Sequence, residues 1–194
     1  MELVLTETPG VSERDLILRA QAGETAAFGE LVQRYMRRAY YAALGLVGSP
    51  DDARDLSQEA FARAFRAVRR IDPDRPYYTW QYQILRRLCF NFIRDRRNRR
   101  QKLERASAWL AEEAGSRAAY ADPQRVAERE EARRRVQQAI EELPAREREV
   151  LVLKEFEGLK YREIAQLLGV PIGTVMSRLY AARRHLVRVI EDKT

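Results

Sequence analysis

Apolar residues recur at three- and four-residue steps along nearly the whole chain, and no segment shows the every-second-residue alternation, bounded by turn residues, that marks a half-buried strand. The pattern predicts an all-α protein. Ser12 followed by Asp15 has the form of a capping box opening a short helix that Gly23 closes. Thr25 is expected to cap a longer helix, with Phe28, Leu31, Val32, Tyr35, Met36 and Ala39 as its buried stripe. Ser49, Pro50, Asp51 and Asp52 form a strong helix start, because proline suits the first helical position and acidic residues favour the positive end of the helix dipole. Ala53, Leu56, Ala60, Phe61, Ala64, Phe65 and Val68 continue that helix toward a core.

Two prolines and two aspartates in Ile71 to Pro76 predict a short exposed loop, followed by a helix from about Tyr78 to Arg97 with Trp80, Ile84 and Leu88 on one face. The Ala-, Glu- and Ser-rich stretch from about Gln101 to Ala121 has weak periodicity and reads as a linker. Asp122 and Pro123 restart a helix that ends before Pro144, and Pro144 begins another that Gly158 closes. The resulting organisation is a tail over 1–11, a first helical domain over 12–100, a flexible linker over 101–122 and a second domain over 123–194 that ends in a helix-turn-helix.

Composition narrows the function. Hydrophobic residues make up 45% of the 194 positions, enough for real cores, and no apolar run approaches the ~18 residues of a membrane span. The amino terminus lacks the basic start, apolar middle and cleavage site of a secretory signal, so a cytoplasmic location without membrane insertion is expected. A single cysteine, Cys89, and a single histidine, His185, offer no internal disulfide and no spaced zinc-ligand set. Cys89 is expected in the core. Net charge is +7, and residues 86–105 alone hold nine basic side chains against two acidic ones. Between Ile164 and Ile190 a second stretch carries Arg178, Arg183, Arg184 and Arg188 with no acidic residue. Two separated basic stretches point to two contacts with a polyanion.

Three constellations follow. Ile164, Ala165, Leu167 and Leu168, then Gly169 through Gly173, then Thr174, Val175 and Leu179 have helix-turn-helix spacing. Small Ala165 would allow the helices to approach, Gly169 would take a left-handed conformation, and Thr174 would cap a second helix suited to a major groove. The alternative is an ordinary helical hairpin. Next, the loop from Ile71 to Tyr78 and the aromatics Tyr77, Tyr78, Trp80, Tyr82, Phe90 and Phe92 precede the arginine run, which suits unpaired bases stacked on rings with phosphates held by guanidinium groups. Trp80, Ile84 and Leu88 at four-residue steps fit a core better, which leaves Tyr77 and Tyr78 as the stronger base-contact candidates. Finally, Asp51, Asp52, Asp55 and Glu59, with Gln58, form an acidic and polar helix edge suited to a basic protein surface rather than to catalysis. No nucleophile with a neighbouring base and no glycine-rich phosphate cradle is present, so neither enzyme activity, a cofactor, a metal nor a small-molecule substrate is expected.

Taken in order, these segments resemble the extracytoplasmic-function sigma factors, the two-domain branch of the main bacterial sigma family. Asp-Asp-Ala-Arg-Asp-Leu-Ser-Gln-Glu-Ala-Phe at 51–61 is similar to that family's core-polymerase-binding helix. Tyr-Thr-Trp at 78–80 with Ile84 is similar to its promoter-melting helix, and Gly-Val-Pro-Ile-Gly-Thr-Val-Met-Ser-Arg-Leu at 169–179 to its helix-turn-helix. The resemblance implies that Asp51, Asp52, Asp55, Leu56, Gln58 and Glu59 bind core RNA polymerase at its clamp coiled coil, with a further contact at the flap. It implies that Asp72, Asp74, Arg75, Tyr77, Tyr78, Trp80, Arg86, Arg87 and Asn91 meet the minus-ten element, one base of which is flipped into the loop. It implies that Thr174, Ser177, Arg178, Tyr180, Arg183 and Arg184 read the minus-thirty-five element as duplex DNA. An anti-sigma factor is a further partner that the resemblance implies. Met176 and Ala181 stand where the family usually has basic residues, and Gln81, Arg87 and Asn91 also depart from its usual Leu, Asn and Asp. Those departures bear on which promoter is chosen. The competing reading is a stand-alone helix-turn-helix regulator that binds an operator without polymerase.

Overall fold

A computed structural model describes residues 11–110, 139–140 and 142–191, and no strand occurs among them. The first half comprises α1 (Glu13–Gln21), α2 (Thr25–Val47), α3 (Pro50–Arg66), a 3-10 turn (Val68–Arg70) and α4 (Tyr77–Leu110). The second comprises α5 (Ala145–Leu151), a π turn (Val152–Phe156), α6 (Tyr161–Leu168) and α7 (Ile172–Glu191). Ser12 caps α1 by accepting from the Asp15 N–H, and Ser49 caps α3 by accepting from the Asp52 N–H, with Pro50 in the first turn. Thr25 is not a cap: it lies inside α2, whose N-cap is Glu24. α4 continues to Leu110, well past the expected end near Arg97, because residues 98–110 contain no Gly or Pro and are rich in Arg, Gln, Lys, Leu, Glu and Ala, which favour helix. Most of the expected linker and of the helix expected from Asp122 lies outside the described residues.

α2, α3 and α4 pack around one apolar centre in which Leu31, Leu46, Ala53, Ala60, Ala64 and Leu85 are fully buried. Leu16 and Ile17 of α1 close one side. Cys89 is buried there too, and desolvation pushes its thiol up to about 12. Aromatic rings link the three helices: Phe65 meets Phe28 at 5.1 Å between centroids, Phe28 meets Tyr77 at 6.3 Å, Tyr35 meets Tyr77 at 5.5 Å and Tyr78 at 5.7 Å, and Tyr78 meets Tyr82 at 5.8 Å. Each such pair contributes ~0.5–1.5 kcal/mol beyond area burial. Phe65 remains 43% exposed, so it covers this cluster from outside rather than completing the α3 core stripe.

Gln81 is fully buried in α4, and neither its amide oxygen nor its nitrogen has a protein partner. A buried polar group without a hydrogen bond costs ~1–3 kcal/mol. Gln81→Leu is therefore expected to stabilise the protein by about 1–3 kcal/mol, seen as a later midpoint in chemical denaturation; an unchanged or earlier midpoint would show that the amide is satisfied in solution.

The second half docks on the first along α2 and α4. Arg148 of α5, 5% exposed, donates through Nη1 to the Leu46 carbonyl at 2.7 Å, satisfying the C-terminal end of α2. Beside it Glu149 accepts two hydrogen bonds from the Arg86 guanidinium of α4 and one from the Tyr82 hydroxyl at 3.2 Å. Just beyond the π turn, Glu157 accepts from Arg38 Nε at 2.8 Å and from the Tyr78 hydroxyl at 3.0 Å, while the Arg38 guanidinium lies 3.8 Å above the Tyr78 ring. Gly45 faces Val152, and a Cβ there would stand 2.7 Å from a valine methyl. Helix α2 thus carries a glycine where the other half comes too close for any side chain.

Candidate nucleic-acid interface

The loop between the 3-10 turn and α4 is held at both ends and open in the middle. Gln21 of α1 donates to the Val68 and Ile71 carbonyls and fixes the loop's start. Glu13, also of α1, accepts the Tyr77 N–H at 2.7 Å and so supplies the first turn of α4 with an acidic cap. Between these anchors Asp72, Asp74 and Arg75 are exposed; the Asp72 carboxylate accepts the Asp74 N–H, and Arg14 pairs with Asp74 at 2.9 Å. The loop presents donors and acceptors on a fixed frame.

The tyrosines beside it are not surface groups, contrary to the expectation. Tyr77 is fully buried and Tyr78 is 4% exposed, whereas Trp80 and Ile84, expected in the core, are only partly buried. The reason is the aromatic run from Phe28 and Tyr35, which takes both tyrosine rings from inside. Burial pushes both hydroxyls well above their ordinary value, Tyr78 with the added effect of Glu157. Further along α4, Arg87 and Asn91 are exposed, as are Arg94, Arg96, Arg97 and Arg99. Arg86 is instead turned to Glu149. The minus-ten candidates are therefore divided: the loop, Arg87 and Asn91 are open to a ligand, while Tyr78 and Arg86 are engaged by the second half.

Helices α6 and α7 have helix-turn-helix geometry. Ile164, Ala165 and Leu167 of α6 pack on Val175, Leu179 and Ala182 of α7. Gly169 ends α6 at φ +66°, the left-handed conformation expected of it. Glu163 accepts the Lys160 N–H at the start of α6. α7 begins at Ile172, so Thr174 lies in its first turn instead of capping it, and its carbonyl accepts from Ser177 Oγ at 3.1 Å. Ser177, Tyr180, Arg183 and Arg184 are exposed and Thr174 and Arg178 half-buried. Arg183 pairs with Glu155 at 3.0 Å, and Arg184 lies 5.8 Å from the Tyr180 ring. His185 Nδ1 is 2.7 Å from a Glu147 carboxylate oxygen, which ties α7 to α5.

The acidic edge of α3 is a third surface. Asp51, Asp55 and Gln58 are exposed, Asp52, Leu56 and Glu59 partly so. Arg63 holds the Glu59 carboxyl below the usual carboxylate range, chiefly by hydrogen bonding. Alongside runs a groove of about 540 Å³ lined by Met36, Arg37, Tyr40, Tyr41, Ser57 and Gln58. Sequence reasoning found the acidic edge but not this groove, nor the interdomain partners Arg38, Glu149 and Glu157. Isolated charges read as solvated surface, and Gly45, which does mark a close approach, looks no different in the sequence from Gly29 of the same helix, which faces open space.

Two family models match the chain: "Sigma-70 region 2" over residues 31–99 and "Sigma-70, region 4" over 133–186. The RNA polymerase sigma-H factor of Pseudomonas aeruginosa is 33% identical, over 92% of this chain and 94% of that protein. The ECF RNA polymerase sigma-E factor of Escherichia coli K12 is 34% identical, over 89% of this chain and 91% of that protein. Among solved structures, CnrH in complex with the cytosolic domain of CnrY matches with a TM-score of 0.64 and 27% identity, covering 94% of this chain and 99% of CnrH. The sigma factor RpoE from Bartonella quintana, in complex with the anti-sigma factor NepR, shares the fold at a TM-score of 0.57 and 21% identity, covering 84% of this chain and 96% of that one.

Proposed function

Because the chain belongs to the extracytoplasmic-function sigma factors of RNA polymerase, we propose that its three surfaces divide the work of promoter selection in the cytoplasm. The α3 edge and the adjoining groove bind core polymerase at its clamp, with the flap as a second contact. The loop at 72–75, Trp80, Arg87 and Asn91 meet the minus-ten element, and the outward face of α7 reads the minus-thirty-five element in the major groove. An anti-sigma factor would hold the free protein in its compact form. The observation that carries this reading is α7 itself, a basic helix in helix-turn-helix geometry whose reading face is exposed while its apolar stripe is buried.

Docking of the halves gives the same reading a conformational step. Arg86 and the Tyr78 hydroxyl are both occupied by acidic residues of the second half, so full engagement of the minus-ten strand calls for the halves to separate when polymerase is loaded. Arg97 and Arg99 of α4, both exposed, then supply phosphate contacts.

Run-off transcription with core polymerase and mapped start sites tests the proposal, alongside a gel shift with and without core enzyme. Specific transcripts, and duplex binding that becomes specific only with core present, are the expected results. Tight operator binding by the protein alone, with no transcripts, would favour a stand-alone regulator. Substituting Asp55→Ala together with Gln58→Ala is expected to weaken polymerase binding about tenfold or more, measured by competition for core, without altering DNA preference; unchanged competition would move the polymerase contact elsewhere.

A further inference from the structure

The reading face of α7 carries two large exposed apolar side chains, Met176 and Tyr180, among its polar ones. Val175, Leu179 and Ala182 point inward, and helical spacing then places Met176, Ser177 and Tyr180 outward. Met176 is 53% exposed and Tyr180 65% exposed, both well beyond the level of residues that serve a core. The polar neighbours are partly engaged elsewhere: Ser177 spends its hydroxyl proton on the Thr174 carbonyl, Arg183 is paired with Glu155, and the charge of Arg178 is felt at the buried Glu149.

A methionine side chain has no donor and only a weak acceptor. In the major groove each base pair offers a distinct set of donors and acceptors, and its one apolar group is the C5-methyl of thymine. We infer that Met176 is a specificity determinant that selects thymine in the upstream promoter element through apolar contact with the C5-methyl, with Tyr180 one turn later walling the same site. Placed over guanine or cytosine, Met176 would cover polar edges without returning a hydrogen bond, so the contact rejects those pairs as well as favouring thymine. Residues 176 and 180 are about 6 Å apart along the helix axis, so the apolar patch spans roughly two base-pair steps.

This inference rests on the proposal that α7 reads promoter DNA. Holoenzyme is used to select duplexes from a library randomised through the upstream element. Each thymine of the enriched sequence is then replaced in turn by deoxyuridine, which removes the methyl and nothing else. At one thymine the replacement is expected to weaken binding about fourfold, the effect of exposing one buried methyl. Met176→Ala should abolish that sensitivity, and Met176→Arg should shift enrichment at the same position toward guanine. An enriched element with no methyl-sensitive thymine, or a uracil penalty that survives Met176→Ala, would overturn the inference while leaving promoter recognition standing. No enrichment at all would overturn both.

Discussion

Glu149→Lys is expected to part the two halves of the molecule while each stays folded. The carboxylate lies fully buried between Arg86 and Tyr82, and an ammonium in its place would face the Arg86 guanidinium with no acidic partner. Removing one member of a buried pair costs ~3–5 kcal/mol, which is more than a hundredfold in a docking equilibrium. Once the halves separate, position 149 is solvated on the surface of α5, so the penalty falls on docking and not on folding. Small-angle scattering of the variant should show a larger radius of gyration with unchanged helical content; an unchanged radius would contradict the docked arrangement.

The neutral isostere separates charge from hydrogen bonding. Burial outweighs Arg86 and leaves the Glu149 carboxyl above its ordinary value. A carboxyl raised by docking contributes most below its unfolded value and loses that contribution as pH rises through its docked value. Glu149→Gln, which keeps an acceptor for Tyr82 and Arg86, should therefore remain docked, and docking of the parent should tighten on acidification through this group. Gly45→Ala offers an independent steric route. Its Cβ would meet both methyls of Val152, a side chain with little freedom at χ1, yet alanine strengthens α2 by ~1 kcal/mol. Separation without loss of helix is again the expected result.

The second large effect concerns Tyr77. Tyr77→Ala should destabilise the protein by about 3–5 kcal/mol, as large-to-small changes in a packed aromatic core do, because the ring touches Phe28, Tyr35 and Trp80. Tyr77→Phe should be neutral or stabilising, since the buried hydroxyl has no protein partner. Chemical denaturation of the two variants checks both. A Tyr77→Ala protein as stable as its parent, but slow to open promoter DNA, would return Tyr77 to the role of a base contact.

Local chemistry was the legible part of the sequence. Ser12, Ser49, Pro50 and Gly169 each terminate or begin a helix where short-range rules place them, and the apolar spacing of α6 and α7 identifies the helix-turn-helix. Where two local signals competed, the longer-range one decided. Tyr77 and Tyr78 adjoin an exposed loop, which favours a surface role, but Phe28 and Tyr35 arrive from a distant part of the chain, in α2, and bury them. Arg86 belongs to the basic run by sequence and to Glu149 by structure. Such pairings depend on how two halves meet, and a charge pattern along one chain does not encode that meeting. The candidate surfaces were thus largely visible from the sequence, whereas the part of them that is covered was not.

The proposed function requires the protein to be closed when alone and open when bound to core polymerase. Fluorophores placed through Leu18→Cys on α1 and Val187→Cys on α7, both exposed sites, with Cys89→Ala to remove the native thiol, report the separation of the halves by energy transfer. One short separation for the free protein, lengthening when core polymerase is added, is the expected result. A separation that is the same with and without core polymerase would contradict it.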